Sequence, residues 1–191
     1  PAHDVQRAWL LLSSARAHML NGRHALGAEV AARAHATAEA AAAADARDVR
    51  EILAQSLLIA GTCRTMSGDA SGEELFHQAR EYAAGFVRAM MRFHINYSNT
   101  LMVMGRYDDA MAVAREGIAY GRANVADVGP LVMVEANVIE AHIYAGRLRE
   151  AEQLGGLLPM VEPGLYSAFL RERLVCLAIW RGRLEAAEAA I

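Results

Sequence analysis

The sequence predicts an all-α protein: a right-handed superhelical solenoid of antiparallel helix pairs, about 40 residues per pair. Three observations predict it. A short phrase recurs along the chain, as MGRYDDA at 104–110, AGRLREA at 145–151 and RGRLEAA at 181–187. The segments between the copies carry helical periodicity; in LVMVEANVIEAHIYAG, residues Leu131, Val134, Val138, Ile139 and His142 fall near one face. Runs of strand-type alternation are absent from the chain.

Alignment on the glycine of the phrase defines the copies. The glycines are Gly22, Gly105, Gly146 and Gly182, each followed by arginine: Arg23, Arg106, Arg147 and Arg183. Five residues after the glycine the side chain is always small, at Gly27, Ala110, Ala151 and Ala187. The first interval, 83 residues, is twice the later ones of 41 and 36, so one copy is hidden within it. RTMSGDASGEEL (64–75) fits the gap, with Gly68 at the turn and no arginine after it. Over the four intervals from Gly22 to Gly182 the mean spacing is 40 residues.

Each part of the phrase has a physical role in a helical hairpin. Glycine takes the left-handed conformation that ends a helix. Asp108, Asp109, Glu150 and Glu185 suit the positive end of the helix that follows. The small residue lets the two helices approach closely. In the second helix of copy four, Leu148, Ala151, Leu154 and Leu158 share a face. The expected helices are 4–20 with 24–43, 46–66 with 72–84, 86–104 with 107–123, 130–145 with 148–161, and 165–181 with 184–191. The Ala-rich run at 38–46 reads as a helix end. A hairpin alone cannot bury both faces, so the pairs are expected to stack as a single array over 1–191, its last pair truncated. The start at Pro1 without Met and the stop at Ile191 read as a piece of a longer polypeptide.

Composition narrows the chemistry. The formal net charge is −3, a poor match for nucleic acid, which calls for a clustered basic face. All 19 basic residues are Arg, so neither a Walker A lysine nor a Schiff-base lysine exists in this chain. No run approaches the ~18 apolar residues of a membrane span, and a cytoplasmic location is expected. Cys63 and Cys176 lie far apart without a CxxC pair and read as reduced core thiols. The seven histidines, at 3, 18, 24, 35, 77, 94 and 142, form no HExxH. Asp108 and Asp109 read as helix-start charges rather than an acid–base pair. NYS at 96–98 matches a glycosylation sequon but falls inside an expected helix. The Met-rich stretch at 90–104 reads as core filling. No catalytic residue, metal site or cofactor is expected.

At these residues the chain resembles the tetratricopeptide repeats. Their pattern places Gly at the hairpin, Ala five residues on and often Pro at the end of the second helix; Gly146, Ala151 and Pro163 match all three. Gly105 with Ala110, and Gly182 with Ala187, match two. The copies are longer than the ~34 residues of that family, and its Trp–Leu–Gly–Tyr signature is missing. With REGIAYGRANV (115–125) before a new helix, the chain looks more like the helical region of large ATP-binding LuxR-type regulators, the MalT-like group. That resemblance implies an ATPase before the array and a helix-turn-helix after it, both outside these residues.

In such arrays the first helix of each pair lines a concave groove. Counting back 3, 6, 10 and 13 residues from each glycine gives the expected groove face. Its candidate contacts for a protein or peptide partner, or a small effector, are Trp9, Arg16, Arg92, Asn99, Met102, Glu140 and Glu172. Asn99 and Glu140 share the same offset and are expected side by side. Two functions compete. One is a non-catalytic effector-sensing module of a LuxR-type transcriptional regulator, signalling to its ATPase and DNA-binding neighbours. The other is a stand-alone adaptor that binds a peptide in its groove. Neither needs membrane or direct nucleic-acid contact, and both leave a homodimer open.

Overall fold

Five glycines close five helical hairpins. In a computed structural model that describes residues 2–41, 46–124 and 127–189, Gly22, Gly68, Gly105, Gly146 and Gly182 all take positive φ, between 70° and 81°. At each, the glycine N–H donates to the carbonyl three residues back. The next N–H donates to the carbonyl five back, as in Gly146 to Ile143 (3.0 Å) and Arg147 to His142 (2.8 Å). This is the Schellman closure, which satisfies carbonyls that a helix end would leave unpaired. Gly68 makes the same pair of bonds, through Gly68 to Thr65 and Asp69 to Arg64, so the hidden copy is a hairpin like the others. A Cβ at any of the five would meet nothing within 4 Å, so the requirement for glycine there is conformational, not steric.

The described residues form ten α-helices and no strand. They are α1 (Ala2–Leu20), α2 (His24–Ala40), α3 (Ala46–Met66), α4 (Gly72–Ala83), α5 (Val87–Val103), α6 (Tyr107–Asn124), α7 (Gly129–Tyr144), α8 (Leu148–Ala151), α9 (Leu165–Trp180) and α10 (Leu184–Ala189). None is long and apolar enough to cross a membrane. Residues 42–45 of the Ala-rich run 38–46, together with Pro1, Val125, Ala126 and the last two residues, lie outside the described residues. The chain divides into two compact units, 1–97 and 98–191, with the boundary inside α5.

In the first unit α1 packs on α2 and α3, α2 on α3, and α3 on α4. One core cluster joins Leu12, Ala15, Val30, Ala31, Ala34, Ile59, Ala60 and Cys63; a second joins Val5, Ala8, Ala38, Val49, Ile52 and Leu53. The alanines of α2 face inward and keep its neighbours close. Small residues are compulsory at two crossings. A Cβ on Gly27 would lie 2.8 Å from the Cys63 sulfur, and one on Gly72 would lie 2.7 Å from the Gly61 carbonyl. Burial pushes the Cys63 thiol up to about 11.

In the second unit α7 is the centre. It packs against α6, α8 and α9 and is apolar around most of its circumference, as a helix covered on all sides must be. The expected helix 148–161 is corrected: after Leu148–Ala151 the chain leaves the helix, turns through Gly155 at φ 93° and makes a 3-10 turn at Leu158–Met160. The Gly155–Gly156 pair and Pro159 weaken a helix there. Buried Glu135 of α7 accepts the Leu157 N–H at 3.3 Å, giving the segment a backbone partner outside any helix. Burial also holds the Glu135 carboxyl above the usual carboxylate range.

Two predictions follow from the hairpin geometry. Gly146→Ala should lower stability by about 1–2 kcal/mol, because alanine must adopt positive φ, and Gly146→Asn should cost less; chemical denaturation of the two variants checks the order. Ala151 is fully buried and Arg149 exposed. Ala151→Phe should therefore cost about 1–3 kcal/mol by overpacking, and Arg149→Ala should stay within about 0.5 kcal/mol of the parent. Equal melting temperatures for those two would contradict the helix pairing.

Candidate functional site

The first helices of copies one to three, α1, α3 and the start of α5, carry a polar line across the first unit. Arg16 on α1 is half-buried, and its guanidinium donates to Gln55 Oε1 at 2.5 Å. Gln55 on α3 is 2% exposed, and its amide donates to Glu51 Oε1 at 2.8 Å, one turn earlier on the same helix. Glu51 also receives Arg88 from α5, through Nε at 3.1 Å and Nη2 at 3.0 Å. Arg92 follows Arg88 by one turn. Burial first, then the positive charges of Arg92 and Arg88, lower the Arg16 guanidinium to about 10.

The first helices of copies four and five, α7 and α9, hold a different group. Arg173 donates to Glu140 at 2.8 Å, with side-chain exposures of 19% and 13%. It also pairs with Glu172, whose side chain is 56% exposed. The Glu140 charge and a hydrogen bond from the Tyr144 phenol push that phenol's pKa up. Beside these groups, the arginine of the phrase ties copies together: Arg147 donates to Asp108 of the preceding copy at 2.6 Å, and Arg181 and Arg183 both reach Glu152. Arg106 pairs with Asp109 of its own copy at 2.7 Å. The Arg147 hydrogen bond holds the exposed Asp108 carboxyl below its usual value.

The seven expected contacts therefore part ways. Arg16 and Arg92 belong to the polar line of the first unit. Glu140 and Glu172 belong to the Arg173 cluster. Trp9 is half-buried and packs against both core clusters of the first unit, which makes its ring part of the core. Met102 is corrected: at 5% exposure it is a core residue, because on α5, as at Ile143 of α7, the position three before the glycine turns inward. Leu12, Ala136 and Ile143, on the same counted stripe, are buried too. Asn99 is half-buried on α5, and among the described residues no hydrogen bond joins it to Glu140. Neighbouring first helices of the second unit meet with a register shift. Glu140, six before its glycine, faces Arg173, nine before the next; Asn137, nine before, donates to Ser98, seven before, at 2.9 Å.

Glu51, Gln55, Arg88 and Arg173 were not among the expected contacts. Counting 13 and 17 back from Gly68 lands on Gln55 and Glu51, and 17 back from Gly105 lands on Arg88. The irregular second copy was left out of the count, and that removed the helix at the middle of the line. Guanidinium forks and carboxylates fixed on rigid helices are recognition chemistry, suited to planar, bidentate polar partners. No protein-family model, no curated protein and no solved structure matches the chain.

The two glutamates on Arg173 should differ in worth. Glu140→Ala leaves a largely buried guanidinium with a solvent-facing partner and should cost about 1–2 kcal/mol. Glu172→Ala removes an exposed partner and should cost about 0–0.5 kcal/mol. Urea unfolding of both variants measures the difference.

Proposed function

We propose that the chain is a non-catalytic recognition module, the effector-sensing or partner-binding helical array of a LuxR-type transcriptional regulator. One observation carries the reading. A continuous polar line, Arg16–Gln55–Glu51–Arg88, crosses three consecutive first helices. Ordinary repeat packing needs apolar and small residues at such crossings; a polar chain placed there presents directed donors and acceptors on a rigid frame. In this reading the hairpins stack as a right-handed superhelix, and the first helices line its concave face. Effector or partner binding there biases contacts with neighbouring domains, provided the ligand favours one of two states. The copy length of about 40 residues supports the LuxR-type assignment over shorter tetratricopeptide arrays.

The reading frame that encodes the chain tests the context. A P-loop ATPase before it and a helix-turn-helix after it support the regulator. A frame with neither sinks that reading and leaves the stand-alone peptide adaptor. In either case the chain itself should not bind duplex DNA specifically. Its net charge is −3, and its densest basic segment, 171–183, contains Glu172 and a mostly apolar interior. A mobility shift with sequence-dependent affinity at physiological salt would contradict this.

A further inference from the structure

One face of α9 stands open. The helix packs against α7, α8 and α10 and buries Leu170 and Leu177 on that side. Its opposite side carries Leu165, Phe169, Cys176, Ile179 and Trp180, whose spacing places them on one helical stripe. Leu165 is 70% exposed and Trp180 66%. A helix at a protein surface ordinarily turns polar residues outward. α1 does so with His3, Gln6, Arg7, Ser13 and Ser14.

The equivalent face of α7 shows what such a stripe does. α7 meets α9 through Glu140, six residues before its hairpin glycine, and Ile143, one turn further on, is 7% exposed. The same offsets on α9 are Cys176 and Ile179, and Ile179 is 52% exposed. The face that α7 gives to a neighbouring first helix is therefore uncovered on α9.

The stripe also reads alike in both directions. Reversed about the peptide bond between Glu172 and Arg173, Leu165 exchanges with Trp180, Tyr166 with Ile179 and Phe169 with Cys176, an apolar or aromatic residue for another each time. Two antiparallel copies of α9 related by a two-fold axis lay these residues against one another along the whole helix. Glu172 comes to the axis already paired with Arg173, so it is not carried in as an unpaired charge. The ends agree. Glu162 lies exposed just before α9, and Arg181 and Arg183, which share Glu152, follow it. The antiparallel sense brings Glu162 of one copy toward the arginine end of the other; a parallel sense sets like charges side by side.

We propose that α9 is the contact of a two-fold homodimer, packed antiparallel on α9 of a second copy of this chain. The contact continues the way first helices meet in the second unit, and it stands independently of the regulator reading above.

Sedimentation equilibrium on the whole chain tests it. A reversible dimer is expected at protein concentrations up to about 0.3 mM, as suits a single helix-on-helix contact. Leu165→Glu and Trp180→Glu should each raise the dissociation constant at least ~10-fold, because each puts an unpaired carboxylate into the contact twice per dimer. Both side chains are exposed in the protomer, so helical content by circular dichroism should match the parent. Should one of these variants lose its helical content, the other decides. Leu10→Glu, at an exposed position of α1, should dimerise like the parent.

Oxidative cross-linking reads the direction of the pair. Cys63 is buried, so Cys176 is the thiol that reports. In the antiparallel contact the two Cys176 residues lie ~10 Å apart along the helix axis, beyond the reach of a disulfide, and the parent should not cross-link. Phe169→Cys should cross-link, through position 169 of one copy and Cys176 of the other, as peptide mass mapping would show. A monomer throughout that concentration range overturns the proposal and leaves the stripe to a partner of another sequence. A dimer that both glutamate variants leave intact, one that Leu10→Glu breaks equally, or a Cys176–Cys176 link in the parent overturns it as well.

Discussion

The structure depends on a backbone conformation that L side chains rarely adopt. Each hairpin closes on a glycine at positive φ, and its two following bonds cap the last carbonyls of the first helix. The closure fixes where one helix stops and, through the next residue, how the other begins. That is why the phrase returns: the same turn must be built five times, and few residues can build it. The small residue five positions later answers a separate demand. It sits where the second helix crosses the first, and Ala110, Ala151 and Ala187 are all buried there.

The arginine of the phrase contributes beyond the turn. Placed just past the cap, it begins the second helix on the side facing the preceding copy, where Arg147 finds Asp108 and Arg183 finds Glu152. These are exposed pairs and add little stability each. Their consequence is registration. A charge pair between copies disfavours sliding of one hairpin along the next, which apolar and alanine-rich faces alone resist poorly. In the second unit the stacked rings of Tyr107 and Tyr144, 6.1 Å apart, sit beside the Arg147–Asp108 pair and reinforce the same junction.

The helical class, the positions of the hairpins and most helix limits were legible because each rests on local chemistry: a glycine that must be left-handed, a small crossing residue, an apolar stripe. The eighth helix was misread because its stripe through Leu148, Ala151 and Leu154 was weighed above Gly155, Gly156 and Pro159. The buried carboxylate of Glu135, which supports the irregular path, is contributed by another helix and leaves no local mark. The polar groups were legible in part. Repeat offsets reached Arg16, Glu140 and Glu172, which the structure places in those groups. They misjudged Met102 because a stripe of fixed offsets contains both inward and outward positions. They missed the Arg16–Gln55 contact because residues that touch across neighbouring first helices do not share an offset; a register shift lies between them.

That register shift separates two uses of the same helix layer. In the second unit Arg173 meets two carboxylates, and the polar group closes on itself. In the first unit Glu51 accepts the Arg88 guanidinium and the buried Gln55 amide, and the carbonyl of that amide accepts the Arg16 guanidinium. Both groups are built from first-helix side chains at comparable depth, so depth does not distinguish them. The partner of each arginine does: a carboxylate for Arg173, a neutral amide for Arg16. A closed ion-pair cluster holds helices together and offers a ligand little, because any contact must displace an existing one. On that physical ground, the Arg173 cluster joins α7 to α9 by charge, and the Gln55 amide joins α1 to α3 and, through Glu51, to α5.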